Sequence, residues 1–81
     1  MAKTQTIGEV VKEFRTKKLL LQEELAKKSK LSLQTIRDIE QGVQKRYTEI
    51  TLYKLEYALD LPTGFLVKKQ ERTLRKKNKG E

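Results

Sequence analysis

The stretch that decides the fold runs from Gln22 to Gly42 and reads QEELAKKSKLSLQTIRDIEQG. It holds two short helical patterns on either side of a tight turn. Ser32 is a favourable N-cap for the second pattern, and Gly42 stands where a helix C-terminus favours a left-handed residue. The positions predicted to face inward are Leu25, Ala26, Ile36 and Ile39.

Helical signals continue on both sides of this stretch. Thr6-Ile7-Gly8-Glu9 fits a capping box, and the apolar spacing after it predicts a helix to about Lys17. After a polar loop over residues 43–50, Thr51 is expected to cap a fourth helix, whose apolar stripe is Leu52, Leu55, Ala58 and Leu59. The sequence therefore predicts an all-α, compact bundle of four to five short helices around a central helix-turn-helix.

Charge divides the chain into two parts. The net charge is +8, and +5 of it lies in residues 68–81. We therefore predict a domain over residues 1–67 and a basic C-terminal tail over 68–81, frayed helix or disordered. The tail has three interpretations: an arm that adds non-specific DNA affinity, which we favour, a solubilising tail, or a helix extension used in dimerisation. The apolar cluster Phe65, Leu66 and Val67 is either a dimer surface or ordinary core.

The composition excludes several classes of function. The chain has neither cysteine nor histidine, so it lacks thiolates, the commonest metal ligand and the usual general base. Its apolar runs are short, whereas a membrane helix needs about 20 residues. We expect a cytoplasmic protein with no enzymatic activity, no metal, no cofactor and no membrane contact. The basic balance favours a polyanionic partner.

The chain resembles the phage-repressor and Cro-like (XRE) helix-turn-helix DNA-binding family, from about Ile7 to Val67. The similarity lies in Phe14-Arg15, Gln22, Leu25-Ala26, Ser32, Ile36, Ile39-Glu40 and Gly42. It implies a lambda repressor-like fold that binds double-stranded DNA. The chain departs from the family pattern at Leu19, Leu21 and Lys30, where Gly, a small polar cap and Gly, respectively, are usual.

The resemblance implies that the third helix reads bases in the major groove. Gln34 would bridge adenine N6 and N7, Asp38 would accept from cytosine N4 or pair with Arg37, and Leu33 would touch a thymine methyl or pack on the second helix. The full set of predicted base-reading residues is Leu33, Gln34, Thr35, Arg37 and Asp38. A polar helix face that is merely solvated is the plain alternative.

The resemblance also implies phosphate contacts and one structural ion pair. The predicted phosphate-binding residues are Gln22, Ser32, Gln41, Gln44, Lys45 and Arg46. Arg15 and Glu40 match a largely buried ion pair that joins the first helix to the third. Tyr47 is expected to pack on the loop or to donate to a phosphate.

These features favour a sequence-specific DNA-binding transcriptional regulator, most simply a repressor that binds an inverted-repeat operator as a homodimer. Its location would then be the nucleoid. The alternatives are an antitoxin of a toxin–antitoxin pair, which also binds its own operator, and a protein-interaction module that kept the fold and lost DNA binding, so a protein partner stays open. Single-stranded RNA is disfavoured because the helical spacing turns most of the five aromatic residues toward the core.

Overall fold

The computed structural model describes residues 6–44 and 46–79, with side chains through Arg72. This part of the chain forms five α-helices and no strand, which confirms the predicted all-α bundle. None of its helices has both the length and the hydropathy to cross a membrane. The helices are α1 (Ile7–Lys17), α2 (Gln22–Ser29), α3 (Leu33–Gln41), α4 (Glu49–Ala58) and α5 (Phe65–Lys79).

Local capping fixes the ends of α1 and α3. Thr6 and Glu9 form the predicted capping box, each side chain accepting from the other's backbone N–H. The Ser32 hydroxyl accepts from the Thr35 N–H at 3.0 Å. Gly42 ends α3 with φ 74°, the left-handed conformation that glycine adopts at low cost.

Helix α4 begins earlier than predicted. Thr48, not Thr51, is its N-cap: the Thr48 hydroxyl accepts from the Thr51 N–H at 3.3 Å. Thr51 instead lies within the first turn of the helix. The cap at Thr48 also puts Glu49 in the first turn, where a carboxylate is stabilised by the helix dipole.

The three departures from the family pattern shape the turns around α2. Leu19 and Lys30 both adopt left-handed backbone conformations, with φ 59° and 62°. Leu21 occupies the N-cap of α2 and has no side-chain acceptor, so only half of a capping box forms there: its N–H donates to Glu24 at 2.7 Å. The side chains of Leu19 and Leu21 are exposed. The three helices α1, α2 and α3 still form, although Leu19, Leu21 and Lys30 do not have the residue types that these positions favour.

The core lies where all five helices meet. Gly8 is buried on α1, and a Cβ at this position would clash with the carbonyl oxygen of Ile39. Its missing side chain therefore allows α1 and α3 to approach closely. The buried apolar residues are Ile7, Val10, Val11, Leu25, Ala26, Ile36, Ile39, Tyr47, Leu52, Leu55, Ala58, Leu59 and Leu66.

The apolar cluster at the start of α5 belongs to this core. Leu66 is fully buried, and Phe65 and Val67 pack against the core at partial exposure. Phe65 also meets Phe14 edge to face, with ring centroids 5.7 Å apart. Of the two interpretations of this cluster, the structure shows packing in the core.

Two buried polar side chains tie α5 to the rest of the molecule. Glu56 accepts hydrogen bonds from the backbone N–H groups of Gly64 (2.8 Å), directly before α5, and Leu66 (2.7 Å), in its first turn. Gln70 is 2% exposed and exchanges two hydrogen bonds with the backbone of Tyr47. Helix α5 thus passes through the predicted boundary at residue 67 without a break, and the globule includes Gln70. The division into a domain and a tail stays a prediction.

Candidate nucleic-acid interface

Helix α3 is held on one side and open on the other. Ile36 and Ile39 are fully buried and pack in the same core as Leu25 of α2. The opposite face is polar: Gln34, Arg37 and Gln41 are exposed. The packing of α3 against α2 and the core therefore holds α3 in place and leaves its outer face open, so that this face can enter a DNA groove.

Three of the predicted base-reading residues are partly covered. Leu33 packs against the core, in agreement with its structural alternative. Thr35 belongs to the cap of α3, and its hydroxyl accepts from Ser32 at 2.8 Å. Asp38 is half-buried beside a cleft of about 330 Å³ that α3 forms with the following loop, lined in part by Val43 and Gln44.

Gln34 and Asp38 form a pair on the outer face. The Gln34 Nε2 donates to Asp38 Oδ1 at 2.9 Å, one helical turn away. The sequence predicted Arg37 as a partner of Asp38, but in the structure the Asp38 carboxylate accepts from Gln34. Because a carboxylate only accepts, the Gln34 amide nitrogen must face Asp38. The Gln34 oxygen and one remaining N–H are then free to meet a base.

A buried network joins α1, α2 and α3. Arg15 donates to Glu40 through Nε (2.6 Å) and Nη2 (3.1 Å), and its Nη1 donates to the Leu20 carbonyl at 2.7 Å. The side chains of Arg15 and Glu40 are 11% and 4% exposed. The ion pair implied by the resemblance is therefore present, in bidentate form. It fixes α3 relative to α1.

Gln22 is part of the same network. It lies half-buried in the first turn of α2, and its Nε2 donates to Glu40 Oε1 at 3.0 Å. The carboxylate thereby orients the side chain. This arrangement uses one amide proton of Gln22 and leaves its other polar atoms for a ligand at the N-terminus of α2.

The remaining predicted phosphate-binding residues that the structure describes are exposed. Gln41, Gln44 and Arg46 are exposed, and Arg46 is within 3.7 Å of the Glu71 carboxylate. Ser32 caps α3 and is exposed as well. Lys45 lies outside the described residues.

Tyr47 and Gln70 anchor the loop that follows α3. Tyr47 is 8% exposed, so it packs inside rather than pointing to solvent. Its phenolic oxygen accepts from the Gln44 N–H at 3.3 Å, and its backbone N–H and carbonyl bind the Gln70 amide. Sequence reasoning missed Gln70, because a lone glutamine in a basic segment carries no signal of burial.

The exposed face of α3 carries side chains suited to groove contacts. Among the described residues, no group of three or more acidic side chains is placed to hold a metal ion. The outer face of α3 carries amide, guanidinium and carboxylate groups, which are the groups that read base edges.

Comparison with known proteins agrees with this geometry. The family model described as helix-turn-helix matches residues 11–66, which include α2, α3, α4 and most of α1. No curated protein matches the chain. The match spans more than half of the sequence, and the family consists of DNA-binding regulators rather than enzymes. The chain belongs to the XRE-type, lambda repressor- and Cro-like helix-turn-helix family of DNA-binding regulators.

Proposed function

We propose that the chain is a sequence-specific transcriptional repressor that binds an inverted-repeat operator in double-stranded DNA as a homodimer. It would work at the nucleoid, in the cytoplasm. The observation that carries this proposal is the outer face of α3, where Gln34, Arg37 and Asp38 present hydrogen-bonding groups on a helix fixed from behind by two fully buried isoleucines. Helices positioned in this way enter the major groove in helix-turn-helix proteins.

Gln34 is the residue we assign to base recognition first. Its oxygen and its second amide proton match the N6 donor and N7 acceptor of adenine. Asp38 fixes which end of the amide is oxygen and which is nitrogen, so it acts on recognition through Gln34. Leu33, Thr35 and Arg37 flank this pair and complete the proposed reading set.

A second set of residues would bind the DNA backbone. Gln22 and Ser32 lie at the N-termini of α2 and α3, where exposed N–H groups attract phosphate. The other members of this set are Gln41, Gln44, Lys45 and Arg46. Phosphate contacts fix the register of the protein on the duplex without reading its sequence.

Selection from a randomised duplex pool tests the proposal. We expect an enriched inverted repeat with half-sites about 10 bp apart, one turn of the duplex. Gln34→Ala should relax one position in each half-site, whereas Arg46→Ala should weaken binding to all sequences alike and lower the salt slope by about 1. An unenriched pool would favour the protein-interaction module, and enrichment together with a bound toxin would favour the antitoxin.

A further inference from the structure

Helix α4 is apolar on both of its faces. Its inner side chains, including Leu52 and Leu55, are fully buried. Its outer face carries Ile50, Tyr53 and Tyr57, which are 66%, 41% and 81% exposed. We call this outer row the α4 seam. An exposed row of large apolar side chains on a helix marks an interaction surface.

The two flanks of the α4 seam carry opposite charges. On one flank, Tyr53 and Tyr57 share a cleft of about 260 Å³ with three lysines. On the other flank, the same tyrosines share a cleft of about 420 Å³ with Asp60, whose carboxylate accepts from Lys18 Nζ at 3.0 Å. Glu49 lies on this flank too, since it is seven residues, about two turns of α4, from Glu56, which lines the same cleft. The three lysines of the basic flank are Lys28, Lys30 and Lys54.

We propose that the α4 seam is covered by the α4 seam of a second copy of this chain, with the two helices parallel. A two-fold axis along the helices sets the basic flank of each copy against the acidic flank of the other. An antiparallel pair would set lysines against lysines and acids against acids. The pairing of Glu49 in one copy with Lys54 in the other therefore selects both the occupant and its direction.

The spacing of the α4 seam fits this arrangement. Ile50, Tyr53 and Tyr57 follow one another at intervals of three and four residues, which is the spacing of the a and d positions in parallel coiled coils. Glu49 and Lys54 then occupy g and e positions, which pair between helices in that geometry. Both are exposed.

The parallel direction also suits the DNA-bound state, and in this respect the inference rests on the proposed function. The loop with the proposed phosphate contacts leads directly into the N-terminus of α4. Parallel helices place the two loops at the same end of the dimer, facing one duplex, whereas antiparallel helices place them at opposite ends. Three residues form a small interface, so we expect weak association that is completed when two half-sites hold two copies.

Cysteine cross-linking tests the direction of the two helices. The chain has no cysteine, so single cysteines report without background. In a parallel pair, two copies of Ile50→Cys should form a disulfide with each other, and so should two copies of Tyr57→Cys. In an antiparallel pair, both cannot do so, because the two positions are about 10 Å apart along the helix and a disulfide needs Cα atoms within about 7 Å. Lys12→Cys, exposed on α1, is the control.

Sedimentation equilibrium of the full chain, without DNA, tests the occupant. We expect association over concentrations up to about 1 mM. Tyr57→Asp should abolish it, while Leu21→Asp, at 64% exposure a matched control, should leave it unchanged. Glu49→Lys and Lys54→Glu should each weaken association, and the double exchange should restore it. Circular dichroism of each variant checks that the fold is kept.

Three results would overturn the inference. A chain that stays monomeric, or whose association is abolished by Leu21→Asp instead, removes the second copy from the α4 seam. A disulfide that forms between Ile50→Cys in one copy and Tyr57→Cys in the other, but not between two copies of either variant, would show that the two α4 helices are antiparallel. Because these measurements contain no DNA, they stand apart from the selection experiment, and either can fail alone.

Discussion

Truncation of Arg15 to alanine is expected to remove a large fraction of the stability of the chain. The substitution deletes both guanidinium hydrogen bonds to Glu40 and leaves a carboxylate whose side chain is 4% exposed. The Gln22 side chain still donates a hydrogen bond to the Glu40 carboxylate. Breaking a buried ion pair from one side costs about 3–5 kcal/mol. A domain of 81 residues has a total stability of about 4–12 kcal/mol, so this loss is a large fraction.

Thermal and urea unfolding followed by far-ultraviolet circular dichroism measure the effect. With about 4–8 °C per kcal/mol, the melting temperature of Arg15→Ala should fall by roughly 12–40 °C. The control is the double variant Arg15→Met, Glu40→Leu, which removes both charges and keeps apolar volume; it should recover most of the loss. A single variant that melts within a few degrees of the wild type would refute the reasoning, as would a double variant no more stable than the single one.

Three further predictions concern stability and are measured by urea unfolding. Gly8→Ala should destabilise by about 1–3 kcal/mol through the clash with α3, whereas Lys12→Ala on the exposed side of α1 should change little; equal effects would contradict the close approach. Lys30→Gly should stabilise by up to about 1 kcal/mol by relieving its left-handed backbone, while Lys28→Gly within α2 should lose about that amount, and a loss in both would count against the turn geometry. Glu56→Ala should cost about 1–3 kcal/mol by leaving buried N–H groups at the start of α5 without acceptors, and an unchanged unfolding midpoint would show that water replaces the carboxylate.

The parts of the fold that depend on neighbouring residues could be predicted from the sequence. The caps at Thr6 and Ser32 and the left-handed Gly42 follow from side chains within three residues of the helix ends. The predicted start of α4 at Thr51 was wrong because Thr48 and Thr51 are equally good N-caps when each is considered alone. The choice between them depends on how the loop before α4 is anchored, which a local pattern does not contain.

The parts that depend on distant residues could not be predicted. Gln70 binds the backbone of Tyr47 across 23 residues of sequence, and nothing near either residue indicates the pair. Glu56 reads as a surface acid on α4, yet it is 2% exposed and caps α5. Gly8 lies between the two capping-box residues, where the local pattern does not require glycine. Only the close approach of α3 shows why this position has no side chain.

The candidate site divides in the same way. Its location on α3 is a prediction from the motif, and Gln34 and Arg37 are exposed on that helix. The partner of Asp38 did not follow, because Gln34 and Arg37 are both within reach of it on a helix surface. Which bases these residues contact stays a prediction.

We propose that this chain distinguishes one DNA sequence from others through α3. The most direct test titrates the full chain with a selected duplex and with a scrambled duplex of equal length, at about 50 and about 200 mM salt. We expect the selected duplex to bind at least about 10³-fold more tightly than the scrambled one, and this ratio to persist at the higher salt. Equal affinities for both duplexes, vanishing together as salt is added, would contradict it.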